Sequence, residues 1–372
     1  MSTAVNHPIS GASLSPSLDL DTMQAAVLYG KEDVRLESVP IPALLPGEIL
    51  VRVRTALTCG TDLKVYRRGY HARMIQPPAL FGHELAGDIV AIGEGVTKFG
   101  VSDRVVAANS APCDVCFFCR RAQPNLCEDL LFNNGAYAEY IRIPERIVRK
   151  NTYRIPDDIS YKDAALVEPL ACALRGLDET HVRPGDSVIV LGLGPIGLMF
   201  VRLARWVFGA RVIAVARRLE QVDHAMLLGA DEGILMSRSQ PLHENPALVA
   251  EVKAHTEGRG ADVVIEAIGR PEAWELSTQL VRKGGVINFF GGCASGTKVA
   301  LDTALLHYGE ITCKASFHHT PEHIRRSLEL VADGTVTATH LVNCERRLSE
   351  LPSVLHDMLH GRTSQIKTAI IP

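Results

Sequence analysis

The chain has 372 residues, 47% of them apolar but only 5% aromatic, and a formal net charge of -3. That length exceeds what one hydrophobic core usually serves, so two domains of a compact α/β protein are expected. The small net charge leaves no electrostatic footprint for nucleic acid or an anionic membrane, and the longest apolar run, Val188 to Val201, is interrupted by Gly192, Gly194, Pro195 and Gly197, which argues against a membrane span.

Residues 1–22 carry Ser, Pro and Asn with no basic or apolar signal region, and are expected to form a flexible extension of a cytoplasmic protein. Short alternating runs follow at Gln24–Tyr29, Glu48–Ala56, Glu84–Ile92, Arg104–Ala108 and Tyr137–Ile143. They are separated by Gly and Pro turns, the pattern of a largely antiparallel, barrel-like β domain. From Ser187 onward strands and helices alternate. Ser187–Leu191, Arg211–Ala216, Glu232–Met236, Asp262–Ala267 and Val286–Phe290 read as buried strands of a doubly wound parallel sheet. A helix over Pro321–Ala332 and a strand at Lys367–Ile371 are expected to return to the first domain. The predicted domains are 23–167 with 310–372, and 168–309.

Three groups of residues carry chemistry. Cys113, Cys116, Cys119 and Cys127 are spaced C-x2-C-x2-C-x7-C, which suits the closed all-sulfur shell of a structural zinc; two disulfides or a redox pair are the alternative. Gly192-Leu-Gly194-Pro195-Ile196-Gly197 follows a predicted strand and opens a predicted helix over Leu198–Phe208, the setting in which a glycine turn cradles a dinucleotide pyrophosphate. At the end of the next strand, where an acid would hold the ribose of NAD, stands Ala216-Arg217-Arg218. Two guanidinium groups there suit the 2′-phosphate of NADP, unless both lie on a solvated helix start. Cys59, His83 and Glu168 would give zinc three protein ligands and one open position, as catalysis requires. Singly, each also reads as a core cysteine, a turn histidine or a cap for a helix over Ala171–Leu177. Cys293, Cys313 and Cys344 lack metal spacing and read as packing residues.

Together the Cys59-Gly60-Thr61-Asp62 and Gly82-His83-Glu84 segments, the four-cysteine lobe, Gly135-Ala-Tyr-Ala-Glu-Tyr140, Gly192–Gly197 and Ala267-Ile268-Gly269 resemble the zinc-containing medium-chain dehydrogenase/reductase family. Glu168-Pro169-Leu170 resembles its polyol branch, that of sorbitol (L-iditol) and threonine dehydrogenases. The resemblance implies a GroES-like β-rich catalytic domain and a Rossmann domain, two zinc ions per chain, and a homodimer or homotetramer. It also implies a nicotinamide cofactor, here NADP by the arginines, held in part by Ile268 and Gly269. The implied reaction is hydride exchange with a secondary hydroxyl of a polyol, sugar alcohol or cyclitol. A secondary-alcohol or threonine-type enzyme, and a noncatalytic relative of the fold, remain as alternatives. Thr61 resembles the proton-relay hydroxyl, and Lys64 stands where an outer histidine is common. Glu84 is implied to lie beside the metal, and Cys172 could replace Glu168 as ligand. His318 and His319 are expected either to touch substrate or to sit at a surface.

Overall fold

The computed structural model describes residues 21–237, 241–362 and 364–372. The expected extension lies outside the described residues up to position 20, and Thr22 already begins a strand. The chain divides into two compact units: one runs to Ala171 and resumes over His319–Pro372, and the other is Cys172–His318. The first limit falls inside the helix Val167–Asp178, which starts earlier than the run Ala171–Leu177 suggested. Pro169 sits in its first turn, where a missing N–H costs no hydrogen bond.

In the first unit, strands Thr22–Gly30, Asp33–Pro40 and Ala79–Leu80 form one small sheet. A seven-stranded sheet is centred on Ile49–Leu57, which pairs antiparallel with Leu85–Ile92, Tyr140–Ile143 and Thr368–Ile371. Alternating side chains such as Val51, Ile89, Ile141 and Ile370 bury one continuous core with Phe81 and Tyr137. Register decides what this sheet presents at one end. Ala56 faces Leu85 and Leu57 faces Ala369, so the end of the central strand lies beside the starts of two neighbours. Thr58 and Cys59, His83 and Glu84, and Lys367 are therefore delivered to one place by three strands.

In the second unit, six parallel strands run across the sheet in the order Glu232–Leu235, Arg211–Ala216, Ser187–Leu191, Ala261–Glu266, Val281–Phe289 and Thr312–Lys314. By position in the chain this is the 3-2-1-4-5-6 order of a doubly wound dinucleotide-binding fold. Three of the four inner strands, Ser187–Leu191, Arg211–Ala216 and Ala261–Glu266, are apolar through their centres, with Ile189, Ile213 and Val264 inaccessible, as a sheet covered on both faces requires. No helix among the described residues is long and apolar enough to cross a membrane.

Candidate active site

Cys113, Cys116, Cys119 and Cys127 bring their sulfurs within 4.8 Å of one another. Cys116 Sγ and Cys127 Sγ are 3.9 Å apart, and Cys113 N–H donates to Cys127 Sγ at 3.2 Å. Sulfurs on a tetrahedral shell of about 2.3 Å stand about 3.8 Å apart, so the donor set fits zinc. A disulfide would need about 2 Å. The backbone N–H of Cys119, followed by that of Glu128, lowers the Cys116 thiol to about 6, while burial pushes the Cys127 thiol up to about 12. A bound cation would take all four as thiolates. The apolar support is slight: Cys127, Leu130 and Phe132, with Met74 packed against them.

The second cluster is buried at the sheet end. Ligand atoms of Cys59, His83 and Glu84 lie within 4.8 Å of one another. Cys59 is the N-cap of the helix Gly60–Arg68; its Sγ accepts from Thr61 N–H at 3.4 Å, and its own N–H donates to Asp62 Oδ2 at 3.2 Å. Burial and then the Glu84 charge raise the Cys59 thiol, with His83 opposing. Asp62 is 2% exposed and its oxygens are fully engaged: Oδ1 stands 3.0 Å from His83 Nδ1, and Oδ2 accepts from Tyr137 Oη at 2.5 Å. Donation from Nδ1 to Asp62 leaves Nε2 as the lone-pair nitrogen of His83, the tautomer a metal ligand needs. Burial alone would lower the His83 pKa, but the Asp62 and Cys59 charges reverse this and raise it well above its ordinary value.

Glu84 is inaccessible, with Lys367 Nζ 2.6 Å from its Oε2. Lys367 Nζ also donates to Thr58 O at 2.7 Å, so the lysine ties the carboxylate to the strand that carries Cys59. Glu168 lies outside the 4.8 Å group, although it feels the charges of His83, Glu84 and Lys367; burial pushes its carboxyl up to about 7. Its neighbour is His319, whose Nε2 is 3.7 Å from Glu168 Oε1 and 3.0 Å from Asn109 Oδ1. Of the two expected substrate histidines, His319 is thus buried beside Glu168, and His318 is half-buried at φ 67°. Cys172 belongs to the other unit. Thr61 is half-buried and Lys64 exposed, one turn further along the helix. A half-buried cysteine with a buried imidazole and a buried carboxylate, the latter two braced by outer partners, suit a zinc ion with a free coordination position.

Sequence reasoning assigned no role to Asp62, Tyr137, Lys367 or Asn109. Asp62 and Tyr137 lie in segments singled out above, and Lys367 is a lone charge at the head of an apolar strand, which is the signal that could have marked it. Cys313 was expected to pack but is exposed.

In the second unit, the adjacent strands Ser187–Leu191, Arg211–Ala216 and Ala261–Glu266 are parallel, so the turns following them share one edge of the sheet. Gly192 has φ 99°, and a Cβ there would lie 2.6 Å from Ile268 Cγ1; a Cβ on Gly197 would lie 1.9 Å from Gly192 O. Gly194, the N-cap of Pro195–Trp206, faces open space where a phosphate can approach the helix N–H groups. Glu266 Oε1 accepts from Ile268 N–H and Gly269 N–H, each at 2.8 Å, and so shapes the neighbouring turn. Ala216 closes its strand, Arg217 is half-buried, and Arg218 is the exposed N-cap of Leu219–Leu228.

Two family profiles match the chain: an alcohol dehydrogenase GroES-like domain over residues 45–157 and a zinc-binding dehydrogenase over residues 195–333. The chain is 31% identical to the sorbitol dehydrogenase of Bacillus subtilis (strain 168), covering 94% of itself and 97% of that protein. It is 35% identical over 279 residues to the L-threonine 3-dehydrogenase of Caldanaerobacter subterraneus subsp. tengcongensis, covering 73% of itself and 77% of that protein. Among solved structures, a protein of Sinorhizobium meliloti 1021 bound to NADP superposes with a TM-score of 0.84 at 29% identity, over 95% of this chain and all of that one.

Proposed function

Because the chain belongs to the zinc-binding medium-chain dehydrogenase/reductase family, we propose that it exchanges a hydride between NADP and a secondary hydroxyl of a polyol, sugar alcohol or cyclitol. The observation that carries this reading is the convergence of half-buried Cys59 with buried His83 and Glu84, with Glu168 in electrostatic reach. When bound, zinc supplies Lewis-acid polarisation of the substrate oxygen, and nicotinamide accepts or returns the hydride. Cys59 and His83 would hold the metal, with Glu168 as the third ligand suggested by its motif and Glu84 as the carboxylate already beside them. Asp62 fixes the His83 tautomer, and Lys367 opposes the rise that burial imposes on the Glu84 carboxyl pKa and ties that carboxyl in place.

Oxidation releases one proton for each hydride, so the chain must export it. Thr61 stands two residues from the ligand cysteine and accepts it at Oγ1. Lys64, three residues on and therefore a neighbour on the helix surface, marks the exposed side to which the proton leaves.

NADP preference rests on the absence of an acid after Ala216 and on the two guanidinium groups that follow; the Sinorhizobium meliloti protein carries NADP in the same fold. An Arg217→Asp variant is expected to shift the NADP/NAD ratio of kcat/KM at least about ten-fold toward NAD, the cost of a lost charge-assisted bond. An unchanged ratio removes the assignment. The similarity to an L-threonine 3-dehydrogenase supports a second reading, a β-hydroxy amino acid as substrate. A panel of polyols, cyclitols, L-threonine and simple secondary alcohols separates the two by the highest kcat/KM.

A further inference from the structure

The turn that delivers His83 is packed against an aromatic ring from a distant segment. Gly82 stands at φ 88°, and a Cβ there would lie 2.5, 2.7 and 2.8 Å from three ring atoms of Tyr137, so the ring reaches this backbone only because residue 82 is glycine. Backbone hydrogen bonds fasten the two segments together. Gly135 N–H and Ala136 N–H donate to Gly82 O at 2.8 and 3.1 Å, and Tyr137 N–H donates to Phe81 O at 3.0 Å. Phe81 meets the same ring edge-on, with centroids 5.7 Å apart. Tyr137 is inaccessible, so packing fixes its ring and its hydroxyl must find partners within the protein.

That hydroxyl ends between two parts of the metal centre. Oη is 2.5 Å from Asp62 Oδ2 and 3.1 Å from Leu57 O, the carbonyl two residues before Cys59. A phenol has one proton to give, and the shorter contact, to a charged group, takes it. Burial and then the Asp62 charge raise the Tyr137 pKa well above its ordinary value, so the proton stays on the phenol. Asp62 depends on this bond in turn. Among the described residues its Oδ2 otherwise receives only Cys59 N–H, at 3.2 Å, while Oδ1 faces His83 Nδ1 at 3.0 Å. Without the phenol, one oxygen of a buried carboxylate would keep a single long bond, and the group that orients His83 would lose its strongest tie.

We propose that Tyr137 is a positioning residue for the zinc site at Cys59 and His83: its hydroxyl locks Asp62, and Asp62 thereby holds the His83 ring in the tautomer that leaves Nε2 free for the metal. The proposal rests on Cys59 and His83 as zinc ligands and adds an outer link to that reading. A phenylalanine would fill the same space against Gly82 and Phe81, so packing does not account for the hydroxyl, whereas the carboxylate does.

The test is zinc affinity in the full-length protein, measured by competition with a chromophoric chelator, with the four-cysteine site of the same chain as internal reference. Tyr137→Phe keeps the ring and removes only the hydroxyl. It is expected to weaken binding of the zinc that Cys59→Ser loses by about ten- to a hundred-fold, while the four-cysteine zinc is released as in the parent. In protein labelled with 15N-histidine, the His83 Nδ1 proton should exchange with solvent faster in the variant than in the parent. Asp62→Asn is the second variant, and it decides the matter should Tyr137→Phe not fold. It should lose at least as much affinity, and the double variant should stay within about two-fold of it, because the hydroxyl acts through the carboxylate. Parental zinc affinity in either single variant, equal weakening of both zinc sites, or additive losses in the double variant overturns the proposal. A parent whose zinc content is unchanged by Cys59→Ser overturns the ligand reading and this proposal with it. Two zinc ions in the parent, with parental affinity in Tyr137→Phe, overturn the proposal alone.

Discussion

Cys113, Cys116, Cys119 and Cys127 draw four identical donors from fifteen consecutive residues, whereas Cys59, His83, Glu84 and Glu168 arrive from three separated segments. The first cluster has little around it: Leu130 and Phe132 are its buried companions, and three of its cysteines are only half-buried. The second sits where three strands of a well-packed sheet end, and three of its four ligand candidates have an outer side-chain partner: Asp62 for His83, Lys367 for Glu84, His319 for Glu168. A site that uses metal in place of a core differs from one that uses a core to aim a metal. The two should therefore fail differently.

The largest effect is expected at the second cluster. Cys59→Ser should lower kcat/KM by about a thousand-fold or more, since a Lewis acid worth several kcal/mol is lost, while thermal stability changes little. Activity within ten-fold of the parent would erase the functional half of the contrast. Next, Lys367→Met leaves the buried Glu84 carboxylate without its cation. Denaturant unfolding of the zinc-loaded protein should show a loss of about 3–5 kcal/mol, and a neutral outcome would mean that Glu84 is held by other means. The smallest is Cys127→Ser, which should lower the Tm by roughly 5–10 °C and leave most of kcat intact. A Tm unchanged in that variant would deny the lobe its role as a clasp.

The same contrast explains what could be read before the fold was known. The cysteine tetrad and the Gly192–Gly197 turn are local: donors and glycines lie within one short stretch, so spacing alone conveys geometry. Five strands of the second unit were legible because each has an apolar run at its centre, whereas Thr312–Lys314, with no such run, was not anticipated. Asp33–Pro40 was not anticipated, since Asp33, Arg35 and Glu37 hide the short alternation of Val34 and Leu36, and Val39 is buried on the opposite face. Lys367 meets Thr58 across 309 residues, and only the antiparallel register of Leu57 with Ala369 brings them together. Which carboxylate stands beside Cys59 and His83 depended on the neighbouring register of Ala56 with Leu85. Glu84 precedes the neighbouring strand directly, while Glu168 comes from the first turn of a helix.

Counting zinc tests the central claim most directly. The protein purified without chelators should hold two zinc ions per chain, and Cys59→Ser, with unchanged circular dichroism, should hold one, now removable only with loss of stability. One zinc in the parent that survives Cys59→Ser would contradict a catalytic metal at Cys59 and His83.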